Sequence, residues 1–125
     1  MMNDTDLKKI LIAEDDPFLA KIVKSSLKGQ GFIVENAKNG EEALSKIREG
    51  GYSLILLDLV MPAMNGFEVL QQLKNDGILI PVLVFTSLAQ DEDREEVLRL
   101  GAKGYYVKHQ MTIDELSAII TRELE

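Results

Sequence analysis

The chain contains no cysteine. That excludes a thiol nucleophile, a disulfide scaffold and a cysteine-ligated zinc, and it is compatible with a reducing cytoplasm. No run approaches the ~20 apolar residues of a membrane helix, so no membrane association is expected. The opening "MMNDTDLKK" lacks the apolar core of a signal peptide. Nothing resembles a basic stripe and the net charge is −7, which argues against direct nucleic-acid binding. Acidity suits a cation or a basic partner, although many domains are acidic for solubility alone. There is no internal repeat, low-complexity segment or Pro/Ser-rich linker. At 125 residues the chain fits one domain able to bury its own core.

What is present alternates between two periods. Residues 1–6 read as a polar tail and 7–125 as one domain. Short apolar runs, rich in β-branched residues, predict strands at Lys8–Glu14, Phe32–Ala37, Ser53–Asp58, Ile80–Ser87 and Gly104–Lys108. Helical patterns fill the gaps. Asp16 and Pro17 suit the cap and first position of a helix on which Phe18, Leu19, Ile22, Val23 and Leu27 recur, stopped at Gly29 or Gly31. Ala43, Leu44 and Ile47 share one face of a second helix that ends at Gly50–Gly51. Further helices are predicted over Phe67–Asp76 and Asp91–Gly101. The last one begins after Thr112, where Thr112 and Glu115 have capping-box spacing. Strands alternating with helices imply right-handed crossovers and a mostly parallel sheet. The third and fourth strands are apolar on both faces, as central strands are.

One carboxylate interrupts "YSLILLDLVMP", and isolated charges in such runs are costly unless paired. In open α/β sheets, ligands bind beyond the carboxyl ends of the strands. Those ends carry Glu14, Asp15 and Asp16 on the first strand, Asp58 on the third, Thr86 and Ser87 on the fourth, and Lys108 on the fifth. Clustered carboxylates repel unless a cation joins them. Mg²⁺ suits such oxygen donors and also binds phosphate oxygens. A lysine and a hydroxyl opposite the metal suit a phosphoryl group, with the carboxylate between them as nucleophile.

The segments "ILIAEDDP", "LILLDLVMPAMNGFEVL", "PVLVFTS" and "GAKGYYVK" together resemble the receiver domain of two-component response regulators, from about Lys9 to Leu124. The resemblance implies a flavodoxin-like (βα)5 doubly wound parallel sheet with strand order 2-1-3-4-5. It implies Asp58 as phosphoacceptor, to be modified to 4-aspartylphosphate. Asp15 becomes a direct Mg²⁺ ligand and Glu14 a ligand acting through water, with the Val60 carbonyl completing the protein ligands. Thr86 and Lys108 would engage the phosphoryl group, with Thr86 and Tyr105 as switch residues. The implied protein is a cytoplasmic signalling phosphoacceptor, not an enzyme acting on other substrates. Its implied partner is a sensor histidine kinase or a histidine phosphotransfer domain. A homodimer through the fourth helix, fifth strand and fifth helix is a further implied arrangement. The chain carries no output domain after its last helix, which leaves a free-standing receiver and a segment of a longer regulator both open.

Other readings stand beside this one. Asp16 before Pro17 suits a helix cap better than a metal ligand, and Asn65–Gly66 reads as a turn and helix start. Tyr105 and Tyr106 should face opposite sides of the sheet. His109 stands where many receivers have proline after a cis bond. A non-proline cis bond costs ~2.5–4 kcal/mol, so Lys108–His109 is expected to be trans with a shifted loop. His109 itself reads as an exposed loop residue. Val60 and Leu88, two residues beyond Asp58 and Thr86, are apolar and unable to orient a hydrolytic water, which predicts slow self-dephosphorylation. An aspartate-nucleophile phosphatase would want a second acid at position 60. A flavin-binding domain of this topology would want a phosphate-binding loop. A degenerate receiver, acting as a phosphate-independent interaction module, is opposed by the complete set of acids, threonine and lysine.

Overall fold

Each apolar run becomes a strand one to three residues shorter than its sequence pattern, and Glu14, Asp58, Ser87 and Lys108 fall just beyond the carboxyl ends of their strands. The computed structural model describes residues 7–125, so the tail expected over 1–6 lies outside the described residues. The strands are β1 (Lys9–Ala13), β2 (Ile33–Ala37), β3 (Leu54–Leu57), β4 (Val82–Thr86) and β5 (Gly104–Val107). The helices are α1 (Pro17–Gly29), α2 (Gly40–Glu49), α3 (Gly66–Asn75), α4 (Asp91–Arg99) and α5 (Ile113–Glu123). All neighbouring strands pair in parallel, in the order β2-β1-β3-β4-β5. This is the flavodoxin-like, doubly wound sheet that the segment order implies.

Two apolar layers flank the sheet. Ile55 and Leu57 of β3 face Leu44, Leu70 and Val97 from α2, α3 and α4. Leu54 and Leu56 face Val23 and Leu27 of α1 and Leu116 and Ile120 of α5. Every residue of β3 and β4 is buried, which explains why neither segment alternates in polarity. Tyr105 joins the first layer and Tyr106 packs against the second, as strand alternation requires.

The helix ends follow their local chemistry. Asp16 Oδ1 accepts from the backbone N–H groups of Phe18 (2.9 Å) and Leu19 (3.3 Å), so this acid is a cap. Thr112 and Glu115 form the expected capping box, and Asn65 with Glu68 forms another. Of the two glycines considered for the end of α1, Gly31 does the work: it follows the cap residue Gln30 with φ +97°, a conformation glycine adopts without a Cβ penalty. Phe18 and Ile22, counted in the apolar recurrence of α1, do not join the core. They are 78% and 49% exposed, and Ala20, Val23 and Leu27 form the buried stripe instead.

Candidate functional site

The register of the central strands builds the site. Ala13 of β1 is paired with Leu57 of β3, so Glu14 and Asp58 leave adjacent strands side by side. The Asp58 N–H donates to the Ala13 carbonyl (3.0 Å), and the Glu14 N–H donates to the Ala37 carbonyl (3.0 Å). Both carboxylates are only 4% exposed, whereas Asp15 is exposed at the mouth. Carboxylate oxygens of Glu14, Asp15 and Asp58 lie within 4.8 Å of one another.

Such an arrangement is unstable without positive charge, and Lys108 supplies it. Its Nζ lies 2.7 Å from Glu14 Oε1 and 2.9 Å from Asp58 Oδ2. Strand spacing is ~4.8 Å, so a lysine following β5 must reach across the end of β4 to meet β3 and β1. Its long stem makes that possible. The remaining oxygens also have donors: Asp16 N–H to Glu14 Oε2 (3.1 Å) and Val60 N–H to Asp58 Oδ1 (3.3 Å). Burial pushes the Glu14 carboxyl above its ordinary range, and the hydrogen bond from Lys108 offsets this only in part. Burial pulls the Lys108 ammonium down, but its bonds to Glu14 and Asp58 outweigh that and leave it raised. Lys108 is therefore a cation at neutral pH.

Thr86 ends β4 opposite Val107 and is fully buried. Its Oγ1 accepts from the Leu88 N–H at 3.4 Å. The Leu88 carbonyl in turn accepts from the Tyr105 hydroxyl. A continuous path thus joins Thr86, through one loop residue, to a tyrosine that is 8% exposed. The types and positions of Thr86 and Tyr105 are legible in the sequence, but this backbone link between them is not. Nor is the direct Glu14–Lys108 pair, which depends on the spatial strand order.

The flanking loop is fixed by close packing. A Cβ on Gly66 would fall 2.4 Å from the Asp58 carbonyl oxygen and 2.8 Å from Leu59 Cα. Only glycine lets α3 start this close to the strand end. The Val60 side chain faces solvent at 52% exposure. No peptide bond among the described residues is cis. Lys108–His109 is trans as expected, and residues Lys108–Gln110 form one turn of 3₁₀ helix with His109 exposed.

The donor set consists of oxygen atoms on a mouth that is open at Asp15. It fits a hard divalent cation, which takes one or two carboxylates and retains waters. Together with the adjacent lysine and hydroxyl, it is arranged to receive a small, highly charged anion.

Comparisons with known proteins agree. The chain matches the family described as response regulator receiver domain over residues 10–121. It is 37% identical over 115 residues to the uncharacterized transcriptional regulatory protein YkoG of Bacillus subtilis (strain 168), covering 92% of this chain and 50% of that one. It spans about half or less of the length of the curated relatives it matches. Among solved structures, a CheY-like response regulator receiver domain protein from Methanospirillum hungatei JF-1 superposes with a TM-score of 0.87 at 30% identity, covering 94% of each chain. The response regulator TrrA of Thermotoga maritima, solved in complex with Mg(2+)-BeF, gives 0.80 at 30% identity, covering 93% of this chain and 98% of that one. With the strand order, the acidic strand ends and this match across nearly the whole described length, the chain belongs to the receiver domain family of two-component response regulators.

Proposed function

We propose that Asp58 is the residue on which this receiver accepts a phosphoryl group from a phosphohistidine donor, and that the modification switches its conformation. The observation that carries this reading is the bridging of Asp58 and Glu14 by Lys108 beside the buried Thr86 hydroxyl. An Asp58 carboxylate oxygen forms the new O–P bond. The P–N bond to the donor imidazole breaks, and its electron pair stays on the nitrogen. Asp15, Asp58 and the Val60 carbonyl would hold Mg²⁺, with Glu14 acting through water; its chemistry is to offset repulsion between the anionic nucleophile and the phosphoryl oxygens. Lys108 already touches Asp58 and follows the charge onto the phosphoryl group.

The switch comes from Thr86. When its hydroxyl turns to the phosphoryl oxygen, it gives up the Leu88 N–H. The loop carrying the Leu88 carbonyl is then released, and with it the anchor of the Tyr105 hydroxyl. A contact made in only one of two states shifts the equilibrium between them. On this reading the protein acts in the cytoplasm and catalyses only its own phosphorylation and dephosphorylation. A sensor histidine kinase or phosphotransfer domain supplies the group. The surface formed by α4, β5 and α5 passes the change to a partner or a second copy. Any nucleic-acid contact would belong to another domain, as the names of the transcriptional regulatory relatives suggest for those proteins.

Mg²⁺ with beryllofluoride, a phosphoryl mimic, tests the reading by amide NMR. Saturable shifts at Thr86, Leu88 and Tyr105 are expected. A spectrum unchanged by the mimic would identify the degenerate, phosphate-independent module instead.

A further inference from the structure

At the opposite edge of the sheet from Asp58, α3 ends before β4 begins and α4 ends before β5 begins. Their C-terminal turns close at Gly77 (φ +69°) and Gly101 (φ +104°). The gap between them is a groove of about 430 Å³. Its floor is apolar and includes the buried Leu70, Leu73, Val82 and Leu100. Ile78 and Ile80 form part of its wall, and Leu79 stands on its lip with 95% of its surface exposed.

The charges around this groove run against those of the chain. Lys74, Arg99 and Lys103 line it and no carboxylate does, although the net charge is −7. Arg99 pairs with Glu96 (2.6 Å) through exposed side chains, the exposed Lys103 pairs with a partly buried Glu123 (2.8 Å), and Lys74 has no ion-pair partner among the described residues. Lys74 and Arg99 also complement the carboxyl ends of their helices. That role places two cations here but does not account for Lys103 or for the unburied Leu79.

We propose that this groove docks a segment of a partner protein that is apolar at its centre and acidic at its edges. Charge complementarity chooses the flanks, because the rim is cationic and its surface ion pairs exchange readily for others. Leu79 chooses a macromolecule over a small ligand: a side chain projecting beyond the groove is covered only by something wider than the groove. The rim also disfavours a second copy, since a two-fold interface would set Lys74, Arg99 and Lys103 against their own counterparts. An amphipathic helix, with apolar residues on one face and glutamates beside them, has the required chemistry.

The site lies apart from Asp58, so its test is independent of phosphorylation. The ¹⁵N-labelled chain is titrated with a synthetic helical peptide of leucine and glutamate, and with a control carrying lysine for each glutamate. Shifts confined to residues 73–82 and 99–103 are expected with the acidic peptide, weakening as salt rises. Leu79→Asp and the double change Lys74→Glu with Arg99→Glu should each weaken binding by about tenfold. These side chains are exposed, so the variants keep the fold. Equal binding of the lysine peptide, shifts elsewhere, no binding, or self-association of the chain through this edge would each overturn the proposal.

Discussion

Replacing Lys108 with methionine keeps the apolar stem and removes the ammonium that balances Glu14 and Asp58. Their carboxylate oxygens lie within 4.8 Å of one another. At an effective dielectric constant of ~20, two unit charges at that distance repel by about 3.5 kcal/mol. Both side chains are nearly inaccessible, at 5% and 4% exposure, so little solvent screening reduces this figure. The structure has two routes of relief: proton uptake by Glu14, whose carboxyl is already raised by burial, or a cation entering past Asp15. In chelator at neutral pH, Lys108→Met should therefore lose ~2–3 kcal/mol of unfolding free energy with an unchanged urea m-value. Excess Mg²⁺ should restore most of the loss. The Mg²⁺-dependent gain, set by how much more tightly the folded state binds the ion, should be larger in the variant than in the wild type. Urea unfolding followed by circular dichroism, with and without Mg²⁺, measures both quantities. Wild-type stability of the variant in chelator, or an equal Mg²⁺ gain in the two proteins, would refute the view that Lys108 is the counter-ion of this acidic pair.

Three further predictions follow from other contacts. Gly66→Ala sets a methyl against backbone atoms of Asp58 and Leu59 and should cost ~1–3 kcal/mol; it should also lower the rate of phosphoryl uptake, and unaltered melting would deny the close packing its role. Burial, followed by the hydrogen bond to Glu35, pushes the Tyr52 phenol up to about 12 from an ordinary 10.0. Because the folded value is the higher one, the stabilisation is complete below pH 10 and fades as pH rises toward 12. Ultraviolet titration of Glu35→Gln should move one tyrosine step back down, and identical curves for the two proteins would exclude the coupling. Finally, Val60 and Leu88 present no group to orient water, so polar replacements at both should shorten the lifetime of the phosphoprotein severalfold; decay measured after removal of the donor decides, and unchanged lifetimes would sink the idea.

Much of this architecture is legible in the residues because period and position agree. β3 and β4 announce themselves as central by lacking alternation. Asp16 and Thr112 mark helix starts through chemistry that needs no tertiary partner. The list of chemically useful strand ends is likewise readable, since a parallel sheet places them all on one edge. What resists reading is distance across the sheet. That Lys108 meets Glu14 as well as Asp58 depends on β5 lying two strands from β3 and three from β1, an order that local pattern does not contain. The hydrogen bond between the Tyr105 hydroxyl and the Leu88 carbonyl depends on a loop path. Phe18 and Ile22 mislead for the opposite reason: they keep helical spacing, but the buried stripe of α1 is set by Ala20, Val23 and Leu27, and spacing alone cannot say which face the sheet covers.

Asp58 is the centre of the proposed chemistry. The side chain is held by the Lys108 ammonium and the Val60 N–H, and asparagine preserves its shape while removing its nucleophilic charge. The direct measurement is transfer of a labelled phosphoryl group from acetyl phosphate, in the presence of Mg²⁺, to wild type and to Asp58→Asn, with folding of both checked by circular dichroism. Label on the wild type and none on the folded variant is the predicted result. Equal labelling of the two would contradict the assignment of Asp58 as the phosphoacceptor.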